Sequence, residues 1–163
     1  MKTPQCRLAV LAVVAWSLLG VAGRASAQGS DDERAIRALI ESHSVALNKR
    51  DLAGASAVYS DDATIVTASG QMYVGRAGVD KWHAEAVSGP RPLIHTHPSD
   101  TIRVYFLRPD AAMADVESHI PRPAGADGQL SPALRVPLFI ALVKGEGQWR
   151  IAAQRQAAAA PKP

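Results

Sequence analysis

Apolar residues recur at helical spacing near the start of the chain and predict an amphipathic helix over residues 31–50. The positions in this stripe are Ile36, Leu39, Ile40, His43 and Leu47. Asp31 or Asp32 can cap the helix, and a shorter helix capped by Asp51 is predicted over residues 51–59. The first helix thus carries a histidine within its apolar face.

The pattern changes to β-branched residues at Ala63. A hairpin is predicted over residues 63–74, with Ser69 and Gly70 at its turn. Helical spacing returns over residues 76–87, where Val79, Trp82, His83 and Ala86 form the apolar stripe. The chain thus reads helix, helix, hairpin, helix.

Strand patterns fill most of the remaining chain. They cover residues 93–97, 101–107, 111–120, 134–144 and 148–156. Residues 121–132 contain three prolines and two glycines and predict a long loop, and residues 158–163 predict a frayed tail. Helices followed by long strands predict an α+β domain, with the helices on one face of a mainly antiparallel sheet.

The segment 134–143 is apolar at both alternating sets of positions. A strand that is apolar on both sides needs a cover on each face of its sheet. The helices provide one cover, and a second copy of the chain is the expected other. We therefore predict a homodimer.

Residues 1–27 have the features of a cleavable signal peptide. Lys2 and Arg7 precede an apolar run over residues 8–21, and Ala25-Ser26-Ala27 forms the cleavage site. The run is short for a bilayer-spanning helix, which needs about 20 apolar residues. We expect a periplasmic or secreted domain over residues 28–157, with no membrane attachment after cleavage.

Removing the signal changes the chemistry of the chain. Lys2, Arg7 and Arg24 are lost with no acidic residue, so 18 Lys and Arg against 15 Asp and Glu become 15 against 15. The single cysteine, Cys6, is also lost. The neutral domain is not expected to bind nucleic acid, and it has no thiol for catalysis or metal binding.

Several short motifs occur in a specific order along the chain. They are Asn48-Lys49-Arg50-Asp51, Tyr59-Ser60-Asp61-Asp62-Ala63, Gly70 through Gly75-Arg76, Pro109-Asp110-Ala111 and Trp149-Arg150-Ile151. Together they resemble SnoaL-like proteins of the nuclear transport factor 2-like superfamily, and most closely its SgcJ/EcaC group. That group often has a histidine and an asparagine after the last motif, whereas this chain has Gln154-Arg155-Gln156.

The resemblance implies a cone-shaped, curved, mainly antiparallel sheet wrapped round three N-terminal helices. Such a cone encloses a pocket and usually dimerises. Isomerases, dehydratases, cyclases, hydrolases and non-catalytic modules all share it, so the fold does not choose among them. We expect a small, largely apolar pocket that binds an organic molecule.

Candidate catalytic residues lie on the first helix and on strand 111–120. His43 faces the expected pocket and can act as an acid or a base near neutral pH, although a hydrogen-bonded core histidine is the commoner case. Asp115, Glu117 and His119 share one face of their strand. We expect Glu117 or His119 to complete an acid–base pair if that face lines the pocket; the alternative is a solvated stripe.

Ligand contacts are expected from Tyr59, Trp82, His95 and Arg155, although core packing is the default for the aromatic residues. His95 and His97 have a spacing that also permits a metal site, but no metal is predicted. No cofactor motif occurs in the sequence, so any proton transfer is expected to be cofactor-independent. A non-catalytic binding or assembly module is the alternative.

Overall fold

The computed structural model describes residues 29–88, 96–121 and 133–157. The predicted signal peptide, residues 122–132 of the predicted loop and the tail 158–163 lie outside these residues, as do residues 93–95 of one predicted strand. From that strand, Thr96 forms an isolated antiparallel bridge with His119.

Three helices precede most of the sheet. Helix α1 covers residues 29–48, α2 Leu52–Ala57 and α3 Gly75–Ser88. The side chain of Asp51 accepts a hydrogen bond from the Gly54 amide, which confirms the predicted cap. The second helix is shorter than predicted, because Tyr59 already belongs to a strand.

The chain divides into two units at Arg34. The first unit ends there, and its described part is the start of α1, with an ion pair between Arg34 and Asp31. The second unit begins at Ala35 and contains the rest of α1, the other helices and all the strands. Within the described part of the chain, no helix is long and apolar enough to span a membrane.

The described residues contain six strands, which form one sheet in the order β2-β1-β6-β5-β4-β3. Only the β1–β6 pair is parallel, so the sheet is mainly antiparallel, as predicted. Their bounds are β1 Tyr59–Val66, β2 Met72–Val74, β3 Arg103–Arg108, β4 Ala111–Ile120, β5 Leu134–Gly145 and β6 Gln148–Gln156.

The core lies between the helices and one face of this sheet, which we call the inner face. From the helices, Ile36, Ile40, Val79 and Trp82 join it. The strands contribute the alternate positions Ile65, Ala114, Val116, Leu138, Ile140, Leu142 and Ile151. Alternation along each strand therefore decides which side chains can meet the helices.

The opposite, outer face keeps several large apolar side chains exposed. Tyr105, Met113, Phe139 and Val143 are each 40–48% exposed. Strand β5 is thus apolar on both faces, as its sequence indicated, and the described residues cover only the inner one.

Candidate functional site

Five polar side chains meet inside the apolar core, each from a different element. They are His43 of α1, Ser56 of α2, Tyr59 of β1, His83 of α3 and Gln154 of β6, and none is more than 6% exposed. We call this set the buried polar chain. Burying polar groups is costly unless they hydrogen-bond to one another, so their contacts determine what the site can do.

Close polar contacts link the five side chains in sequence. The Ser56 hydroxyl lies 2.9 Å from Nδ1 of His83, and Nε2 of His83 lies 3.0 Å from Nε2 of His43. The Tyr59 hydroxyl lies 3.5 Å from Nε2 of His43 and donates to Oε1 of Gln154 at 2.7 Å. A hydrogen-bonded path therefore runs from Ser56 of α2 through His83 to His43, and Tyr59 and Gln154 form a second hydrogen-bonded pair beside it.

The contact between the two imidazoles restricts their protonation. Because it joins two Nε2 atoms, one nitrogen must carry the hydrogen and the other must accept it. If His43 donates, neutral His83 carries its hydrogen on Nδ1 and donates to Ser56; if His83 donates, Ser56 donates to Nδ1 instead. The two states differ only in proton positions, so the path can relay a proton.

Ring packing holds both histidines in place. Their centroids lie 5.2 Å apart, close to the greatest separation that a 3.0 Å nitrogen contact permits, so the two Nε2 atoms point at each other. Trp82 stacks on His43 with an interplanar angle of 11° and a centroid separation of 6.3 Å. The indole thus limits rotation of the His43 ring.

Burial keeps Tyr59 and His83 neutral. It lowers the pKa of His83 to about 4, and nearby Asp80 only partly opposes this shift. Burial also raises the pKa of Tyr59 above its usual range. At pH 7 the buried polar chain therefore contains an uncharged phenol and an uncharged imidazole from these two residues.

A small cavity adjoins the buried polar chain. Its volume is about 70 Å³, and His43, Trp82 and Gln154 line it together with apolar Val136 and Leu138. A cavity of about 150 Å³ holds a benzene molecule, so this one admits a group of roughly half that size. Oε1 of Gln154 accepts from Tyr59, so the amide NH₂ is the donor that this residue offers.

Three of the predicted site residues come together here. His43 lines the cavity and joins the chain, Trp82 lines the cavity and stacks on His43, and Tyr59 supports both His43 and Gln154. His97 also lines the cavity, and burial lowers its pKa. His95 lies outside the described residues.

The structure does not bring Glu117 and His119 together with His43. Ser118, which lies between them on β4, lines the cavity, so the alternation of the strand directs its two neighbours to the outer face. There Glu117 contacts Nε2 of His119 at 2.5 Å and Arg135 at 3.5 Å. The expected pairing of His43 with Glu117 or His119 is therefore corrected: these side chains lie on the opposite face of the sheet from His43.

Arg155 also lies on the outer face, where it donates to the carbonyl and hydroxyl of Thr64 at 3.1 and 3.0 Å. A register shift in the β5–β6 pairing explains this position. Ile151 and Ala153 pair with consecutive residues of β5, so Ala152 is an extra residue. The bulge reverses the alternation and turns Gln154 inward and Arg155 outward.

His83, Ser56 and Gln154 belong to the site although sequence reasoning did not select them. His83 could have been found, because it follows Trp82 in the apolar stripe of the third helix. Ser56 and Gln154 had no comparable signal, since their inward positions depend on the α2–β1 connection and on the β6 bulge.

No cluster of three or more histidine, cysteine, aspartate or glutamate side chains that could hold a metal ion occurs within the described ranges. The one imidazole pair in the buried polar chain is joined nitrogen to nitrogen. The spacing of His95 and His97 stays a prediction, because His95 is not described.

Comparison with known proteins gives a family and a fold. A family model described as SnoaL-like domain matches residues 28–155. Curated protein sequences give no match. Among solved structures, a nuclear transport factor 2-like protein with a cystatin-like fold from Novosphingobium aromaticivorans is 17% identical, with a TM-score of 0.69 over 89% of this chain and 92% of that one.

Two further structures agree with this fold. A protein of unknown function from Mycobacterium tuberculosis is 21% identical over 80% of this chain and 73% of that one, with a TM-score of 0.68. A cystatin-like protein from Caulobacter vibrioides is 22% identical over 79% and 90%, with a TM-score of 0.65. These likenesses concern the fold alone, and they confirm the predicted fold class.

Proposed function

The chain belongs to the SnoaL-like domain family, and on that premise we propose that it binds a small organic molecule and transforms it by acid–base chemistry without a cofactor. The reaction type is an isomerisation, dehydration or cyclisation. The observation that supports this proposal is the buried polar chain, which reaches a small cavity through His43 and Gln154.

The side chains that line the cavity suit a carbonyl compound. The Gln154 amide can donate to a carbonyl oxygen, which stabilises negative charge as it develops there. The His43 imidazole can take a proton from the neighbouring carbon, and returning that proton to another atom gives an isomer with no change in oxidation state. His83 replaces Glu117 and His119 as the proposed partner of His43, because it lies 3.0 Å away.

Solvent exchange tests the proposal without knowledge of the natural substrate. Acetone is incubated in D₂O with the protein, and loss of the α-proton signals is followed by NMR. We expect saturable exchange above the buffer rate, and a loss of at least about 100-fold in that rate for His43→Gln, in line with the usual contribution of acid–base catalysis. His119→Gln is the matched control, because its side chain lies on the outer face.

The outcomes separate the two candidate functions. Binding of acetone without exchange would indicate a non-catalytic binding module. Equal exchange by the wild-type protein and the His43 variant would contradict the acid–base assignment.

We also propose that the domain is a homodimer that covers the outer face with a second copy. The exposed Tyr105, Met113, Phe139 and Val143 support this, since large apolar patches on soluble proteins often mark interfaces. Met113→Glu would place a charge between Tyr105 and Ala141, its cross-strand neighbours in the patch, and is expected to give a monomer by light scattering. A monomeric wild-type protein at micromolar concentration would contradict the proposal.

Export to the periplasm or the medium is proposed from the pattern of residues 1–27. Expression of the full chain in a bacterial host, followed by N-terminal sequencing of the exported protein, is expected to give a chain that begins at Gln28. An uncleaved chain retained in the cytoplasm would contradict it. Membership of the SgcJ/EcaC group stays a prediction from the sequence motifs.

A further inference from the structure

We propose that Arg76 is a positioning residue for the buried polar chain. This inference rests on the proposed function, which gives the buried polar chain a role beyond packing. Arg76 is the second residue of α3, and its side chain is 37% exposed, so it lies outside the cavity that His43 and Gln154 line. Its effect on the site must therefore act through the backbone that it holds.

The Arg76 guanidinium contacts the backbone of two residues of the buried polar chain. Nη1 donates to the carbonyl of Ser56, and Nη2 donates to the carbonyl of Tyr59 at 3.1 Å. Nη2 also donates to Oδ1 of Asp61 at 2.8 Å, and this contact lowers the pKa of the Asp61 carboxyl. The hydroxyls of Ser56 and Tyr59 are the groups that meet His83 and Gln154.

The two carbonyls lie on either side of the short connection between α2 and β1. The carbonyl of Ala57 accepts from Arg150 at 2.9 Å, and that of Val58 accepts from the Ile151 amide at 2.8 Å. All four consecutive carbonyls thus have a named partner. Only Arg76 holds two of them, and only its two belong to residues of the buried polar chain.

Geometry favours arginine for this role. The planar guanidinium presents donors in a fixed fork, so it can hold two carbonyls three residues apart at once. A lysine ammonium keeps the charge but is a single point on a flexible stem. The left-handed backbone of Gly75, at φ 69°, places the start of α3 next to Asp61 and so brings Arg76 to the connection.

Ring-nitrogen NMR of the ligand-free protein tests the inference. The ¹⁵N signals of His43 and His83 report the tautomers and hydrogen bonds of the path between Ser56 and Tyr59. We expect Arg76→Gln and Arg76→Lys to shift the Nδ1 signal of His83 and the shared Nε2 signals, with the smaller shift for lysine. Arg150→Gln is the matched control, because it removes an arginine from the Ala57 carbonyl of the same connection.

A purely structural role has a different signature. If Arg76→Gln lowered the melting temperature but left all four ring-nitrogen signals in place, the inference would be overturned. Shifts of equal size in the Arg150 variant would also overturn it. The NMR test uses the ligand-free protein. A lack of acetone exchange would therefore contradict the proposed reaction without affecting this test.

Discussion

Removing a single oxygen atom from the buried polar chain gives a sharp test of its energetics. Tyr59→Phe keeps the ring in the core but deletes the hydroxyl that donates to Gln154 at 2.7 Å. Gln154 is only 2% exposed, so its Oε1 atom would lose the Tyr59 donor in a nearly fully buried position. A buried polar atom left without a partner costs about 1–3 kcal/mol.

That cost is large enough to measure by two methods. Urea unfolding followed by circular dichroism should show this loss of about 1–3 kcal/mol as a lower midpoint with an unchanged slope. The melting temperature should fall by roughly 4–12 °C, since a domain of this size loses roughly 4 °C for each kcal/mol. Tyr105→Phe, at a tyrosine 48% exposed on the outer face, should change stability by less than about 0.5 kcal/mol.

A double-mutant cycle separates the hydrogen bond from general packing. Gln154→Leu removes the other partner, and the Tyr59 hydroxyl then keeps its 3.5 Å contact with His43. The double variant leaves neither group of the pair unsatisfied, so it should cost less than the two single changes together by about 1–2 kcal/mol. Strictly additive costs, or a Tyr59→Phe variant as stable as the wild type, would refute the proposed coupling.

Three further predictions concern pH and the backbone. In the folded protein the pKa of His83 is about 4, whereas its reference value is 6.5, so the unfolded chain takes up a proton at this residue earlier as the pH falls. The free energy of unfolding should therefore fall by about 3 kcal/mol from pH 7 to pH 4. His83→Gln should remove this part of the pH dependence in urea titrations. Asp51→Ala deletes the α2 cap and should cost about 1 kcal/mol in thermal unfolding, whereas Asp62→Ala should cost less than about 0.5 kcal/mol. Gly75→Ala forces a left-handed backbone on alanine and should cost about 1–2 kcal/mol of stability. The control Gly145→Ala should cost less, because Gly145 has no positive φ and has open space beside it. Equal costs would contradict the proposed backbone strain at Gly75.

Periodicity in the sequence was sufficient for most of the fold. The apolar stripes located α1 and α3, and alternation located β4, because burial against one partner surface imposes these repeats. Strand β5 was located by a run that is apolar at both sets of positions. Tyr59 was wrongly assigned to the second helix. It belongs to β1, where pairing with β6 across a long sequence separation decides its conformation.

The site was harder to predict because it depends on which strand face meets the helices. Alternation grouped Glu117 with His119, but only the cavity that Ser118 lines together with His43 of α1 and Trp82 of α3 shows that this group faces outward. A single bulge at Ala152 reverses the pattern of β6. Local sequence carries little information on either feature, since both are set by contacts between distant segments.

The central claim is that small carbonyl ligands bind beside the buried polar chain, and intermolecular NMR contacts test it most directly. Acetone added to isotope-labelled protein should show nuclear Overhauser effects to ring protons of His43 and Trp82 and to the methyl groups of Leu138, which line the cavity. Contacts to Phe139 on the outer face, with none to His43 or Trp82, would contradict the claim.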